Sequence, residues 1–169
     1  MKYGEDESGA KAKNAMRTLR NFGYSNSGEM VKYDITSILS DLKTGYPVLC
    51  SGYSHKVDYK FLGWTIASSL RHGHMWVLHG LLERKRTYTA HDTDGSVMYT
   101  GTESIYYPLC NWGWGGLDDG YYLSGVFDAC NGADYGDYES STRSDDGEAE
   151  GDTAHYYKYG IEVIKGIRR

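Results

Sequence analysis

Two segments of this chain carry residue types with chemistry in them. The first is Gly73-His74-Met75-Trp76-Val77-Leu78, a histidine at the head of an apolar run; the second is Cys110-Asn111-Trp112-Gly113-Trp114-Gly115-Gly116. Two tryptophans interleaved with three glycines do not make an ordinary strand. Glycine lets backbone approach a neighbour closely, and indole rings exclude water and stack on a flat partner. The imidazole of His74 is such a partner. The pair of segments reads as His74 oriented by the Asn111 side chain, which accepts its second N–H, and shielded from water by Trp112. That is the base half of a Cys-His-Asn arrangement, in which an imidazole activates a thiol. A histidine on an apolar strand is ordinarily a core residue, and it is the Asn-Trp motif that sets His74 apart from His72 and His79.

The segments GHMWVLHG at 73–80 and NWGWGGLDDGYY at 111–122 resemble the streptopain family of papain-like cysteine peptidases. The family patterns read approximately G-H-A-[WF]-V-x-D-G and N-W-G-W-G-G-x-x-D-G-Y. Residues 16–24, 33–52 and 157–167 also look like the corresponding family segments, while His79 stands where the family commonly has Asp. The resemblance implies proteolysis of protein or peptide substrates without a cofactor or metal. It assigns the catalytic role to His74, with Asn111 and Trp112 as its supports. The family carries its nucleophile on a helix opening with Gly-Cys, preceded by an oxyanion-hole Gln, and these 169 residues contain no such segment. The expectation is a histidine-bearing lobe, inactive alone, that needs a complementary nucleophile-bearing lobe. Two alternatives stand beside it: a non-catalytic protein- or peptide-binding domain of inhibitor or decoy type, and a glycan-binding β domain with Trp112 and Trp114 as its platform.

Composition narrows the setting. A chain of 169 residues suits one domain, 1–169, and is small for both lobes of a papain-like enzyme. A formal net charge of −5 with no basic stripe excludes nucleic acid as the main partner. Residues 1–10 are polar, so they offer no signal-peptide core, and no later apolar run is long enough for a membrane span. As written the chain is expected in the cytoplasm, although the family it resembles is exported with a prosegment. Cys50, Cys110 and Cys130 make an odd set with no paired spacing, so the expectation is free thiols. In an extended strand Cys110 points opposite to Asn111, which on this reading turns it away from His74.

Periodicity supplies the elements that must position these residues. Ala12, Ala15, Met16, Leu19 and Phe22 mark one helix ending at Gly23, and Asp34 caps a second carrying Ile35, Ile38, Leu39 and Leu42. Strands follow at 48–52, 74–82, 86–91, 105–112, 120–127 and 156–164. Consecutive strands predict an α+β fold, an antiparallel sheet of about five or six strands with both helices on one side. Residues 53–71 read as an extra helix or hairpin, and acidic residues 131–152 as a mobile surface loop. Calcium ligation by Asp134, Asp137, Asp145 and Asp146 lacks the EF-hand order. The apolar face around His74 and Trp112 is expected to be covered, by residues 53–71 or by a second copy in a homodimer.

Overall fold

The computed structural model describes residues 12–136 and 155–169, with the backbone of a short pair, β1 (Lys2–Tyr3) and β2 (Ser8–Gly9). Helix α1 (Ala12–Asn21) leads to β3 (Asn26–Lys32), and α2 (Ile35–Lys43) leads to three long strands, β4 (Val48–Phe61), β5 (Trp64–His91) and β6 (Val97–Asn111). Four shorter stretches follow: β7 (Gly120–Tyr121), β8 (Phe127–Asp128), β9 (Tyr156–Tyr157) and the ten-residue β10 (Tyr159–Arg168). The main sheet has the order β3-β10-β4-β5-β6-β7, and all its pairings are antiparallel. The fold is therefore α+β, as its strand succession implies.

Side-chain alternation fixes the two faces of the sheet. Cys50 lies opposite both Trp76 and Val163, and Leu78 lies opposite both Val48 and Cys110, so these six residues share one face. All are buried. Helix α2 adds Ile38 and Leu42 to that face, and the irregular stretch after β6 adds Trp112, Tyr122, Phe127 and Ala129, with Tyr157 from β9. The Asp34 carboxylate caps α2 by accepting the Thr36 N–H at 3.0 Å, and its hydrogen bonds to Thr36 hold its pKa below the usual value. At the other end Asp41 accepts from the Gly166 N–H and from Arg168, each at 2.6 Å, which ties α2 to β10. Burial alone would raise the Asp41 pKa; these two partners outweigh it and leave it lowered.

The helices are not on one side, as the sequence led us to expect. Ala12, opening α1, lines a crevice with Met30, Leu49, Met75 and Ile164, which alternate with Cys50, Trp76 and Val163 and so belong to the other face. Helix α1 has no buried residue and lies against the edge strand β3, an element that the polar alternation of its sequence hid. Strand β5 joins the two expected strands 74–82 and 86–91 and reaches back to Trp64. Of the two readings of residues 53–71, the hairpin holds: β4 and β5 pair down to Phe61 and Trp64. The expected strands 120–127 and 156–164 are interrupted, giving β7 and β8, and β9 and β10.

Candidate active site

His74 sits on the core face of β5, two residues before the buried Trp76. The residue opposite it on β4 is Gly52, where a Cβ would come within 3.2 Å of the Trp76 ring and 3.5 Å of Tyr157. The missing side chain lets these rings close around the imidazole. Tyr53 packs its ring over Gly73, where a Cβ would stand 2.7 Å from it. The His74 ring centroid is 5.0 Å from Trp114, 5.5 Å from Tyr157, 6.2 Å from Trp112 and 6.3 Å from Trp76. Outside this layer His155 lies 4.9 Å from Trp114.

The polar partner of the imidazole is a backbone group. His74 Nε2 is 2.9 Å from the Trp112 carbonyl oxygen. A carbonyl only accepts, so in the neutral ring Nε2 carries the proton and Nδ1 is left with its lone pair. The expected Asn111 hydrogen bond is replaced: the Asn111 side-chain oxygen accepts the Gly113 N–H at 2.9 Å, closing a turn in which Gly113 has φ 79°. The reason is register. Asn111 lies opposite Val77, on the face of Met75 and Val77, and is exposed there. The same register corrects the reading of Cys110, which lies opposite Leu78 and so shares the face of His74 rather than turning away.

Trp112 is fixed by groups that sequence reading left without a role. Its N–H donates to the Asp119 carboxylate at 2.8 Å, and its indole Nε1–H donates to the Asp118 carbonyl at 3.1 Å. That carbonyl also accepts the Tyr122 hydroxyl at 2.6 Å. Asp118 holds the left-handed φ of 58° that aims its carbonyl inward. The available signal was the Asp118-Asp119-Gly120-Tyr121-Tyr122 run that ends the motif. With Trp112 only 1% exposed, and Trp114 half-buried between two imidazoles, neither indole offers the open platform of a glycan-binding face.

Electrostatics favour a neutral imidazole. Burial lowers the His74 pKa, the Trp112 carbonyl opposes this, and the neighbouring His155 lowers it further. A proton titration followed by NMR is expected to show His74 protonating below the ordinary histidine range. The unfolded chain then takes up this proton first, so the contribution of His74 to stability is present above about pH 6.5 and is lost as pH falls through its folded pKa. His74→Gln should flatten that part of the stability profile.

The thiols fall into two classes. Cys50 and Cys110 are buried in the core, and burial pushes both pKa values well above the ordinary thiol range, with the Asp119 charge adding to the effect on Cys110. They are protonated and shielded. Cys130 is half-buried, with its N–H on the Asp128 carboxylate at 3.1 Å. His79 is exposed, and His72, at φ 52°, places its ring 4.7 Å from His55. Asp134 accepts the Leu123 N–H at 2.7 Å, a structural use, whereas Asp137, Asp145 and Asp146 of the calcium reading lie outside the described residues. Among the described residues no group of three or more His, Cys, Asp or Glu is placed to hold a metal.

The arrangement is thus an oriented, partly desolvated imidazole whose Nδ1 accepts no hydrogen bond among the described residues. A family model described as the Peptidase C10 family matches residues 1–122, a span that includes His74, Asn111 and Trp112. Among curated proteins none matches the chain.

Proposed function

From the premise that the chain belongs to the peptidase C10, or streptopain, family, we propose that it is a cysteine-peptidase domain whose general acid–base is His74. The carrying observation is the Nε2 contact to the Trp112 carbonyl inside the aromatic layer. His74 Nδ1 takes the proton of a cysteine thiol, and the resulting thiolate attacks the substrate carbonyl carbon. The imidazolium then returns the proton to the leaving amine as the C–N bond breaks. Water, deprotonated by the same nitrogen, releases the acyl group from sulfur. Trp112 contributes through its backbone and as a wall, and Asn111 shapes the turn that presents it.

On this reading the nucleophile comes from a complementary segment: burial shields Cys50 and Cys110 and pushes their thiol pKa values up, and the half-buried Cys130 is left as the alternative that inhibitor labelling addresses. The chain alone is then inactive on protein substrates, and it works when a nucleophile-bearing lobe completes the cleft. An epoxide inhibitor directed at peptidase thiols tests this, with labelling read by mass spectrometry. The chain by itself should take no stoichiometric label. Mixed with the nucleophile lobe of a streptopain-type peptidase, it should promote labelling of that lobe's cysteine, and His74→Ala should abolish the effect while His79→Ala retains it. Labelling of Cys130 that depends on His74 would replace the split reading with a complete, rearranged enzyme. With no His74-dependent labelling in either setting, the reading as a non-catalytic binding domain takes its place.

A further inference from the structure

The peptidase reading makes no use of the ribbon formed by β4 and β5 beyond Tyr53 and Gly73. On β4 Val57, Tyr59 and Phe61 point to one face and Lys56, Asp58 and Lys60 to the other; β5 adds Trp64, Ala67, Ser69 and Arg71 to the first face and Thr65, Ser68 and Leu70 to the second, across a bulge opposite Tyr59 and Lys60. The polar face is internally paired: Lys56 meets Asp58 at 3.1 Å, and the Ser68 hydroxyl donates to the same carboxylate at 2.5 Å. The apolar face is open, with Phe61 64% and Trp64 79% exposed. Among the described residues the ribbon also has an open edge, since β10 pairs with β4 only as far as Tyr53 and no described strand pairs with β4 from His55 onward on that side. A two-stranded ribbon with an apolar face and a free edge is marginal by itself and is a template for another strand.

We propose that the occupant is a second copy of this chain, with β4 running antiparallel to β4 of the second copy about a twofold axis at Val57. The argument is charge complementarity within Lys56-Val57-Asp58. A twofold at Val57 sets Lys56 of each copy opposite Asp58 of the other, so the strand is complementary to itself. The same register sets Tyr59 opposite His55, and it keeps residues of like parity together. The apolar faces of the two ribbons therefore join into one four-stranded surface. The pairing spans residues 55–59, bounded by the buried Ser54 and by Tyr159, which already occupies the edge at Tyr53. It leaves the His74 face untouched, so it stands or falls independently of the peptidase reading.

Charge exchange tests it, with mass read by sedimentation equilibrium. The wild-type chain should be dimeric. Lys56→Asp and Asp58→Lys each set like charges opposite each other, and each should weaken association by about tenfold or more. Mixing the two single variants should restore a one-to-one dimer, and so should the double exchange in one chain. Both side chains are about a third exposed, at 38% and 36%, and lie beyond the core, so circular dichroism should be unchanged throughout. A wild-type monomer at about 100 µM overturns the proposal. So do single variants that stay dimeric, or variants that fail to recombine on mixing.

Discussion

Replacing His74 by alanine in the complemented enzyme should lower kcat/KM by about 10²- to 10⁴-fold, the usual share of a positioned acid–base group. The loss should fall on kcat, since in the proposed mechanism the imidazole works on the proton and not on substrate binding. Asn111→Ala is the informative contrast. Its side chain serves the Gly113 N–H and points away from the imidazole, so its effect should stay below about tenfold. A loss as large as that of His74→Ala would mean that Asn111 orients the ring directly during turnover. The acid limb of the rate profile should follow the depressed pKa of His74, because a protonated Nδ1 cannot accept a thiol proton.

Trp76→Ala should be the most damaging single truncation to stability, costing about 3–5 kcal/mol. The ring is 1% exposed and has Trp112, Phe127 and Tyr157 within 4.9 to 5.3 Å, centroid to centroid, so its removal opens a cavity where β4, β5 and the 112–129 stretch meet. Urea unfolding should show a lower midpoint with an unchanged slope. Trp76→Phe should cost much less. It keeps a ring in place and deletes an indole N–H that among the described residues has no oxygen or nitrogen acceptor and only the soft Cys110 sulfur beside it. A Phe variant as unstable as the Ala variant would show that the N–H···S contact, and not ring volume, holds the site together.

Much of this was legible in the residues themselves because the signals are local. Asp34 announces the cap of α2, the apolar spacing of Ile38 and Leu42 gives its buried face, and His74, Trp112 and the glycines around Trp114 mark the candidate site. What the residues could not state was register. Alternation correctly set Cys110 opposite to Asn111, but only the pairing of β5 with β6, with its bulge between Leu78 and Gly80, decides which of the two shares a face with His74. The same limit explains the Trp112 carbonyl: backbone groups carry no residue signature, so a chain that orients its histidine with a peptide oxygen looks identical to one that uses Asn111. Strand β3 was hidden because Asn26, Ser27, Gly28 and Glu29 carry no apolar alternation, while its pairing with β10 comes from far along the chain.

The place of β10 inside the sheet, between β3 and β4, sets the order in which the protein can be completed as it is made. The β4–β5–β6 meander is local and can zip as soon as residue 111 is free, but among the described residues β3 has no sheet neighbour other than β10. A nascent chain stalled before Tyr159 would therefore hold an orphaned β3 and the apolar flank of Cys50, both open to other chains. Loss of these few closing residues would divide the sheet in two, a cost out of proportion to their number.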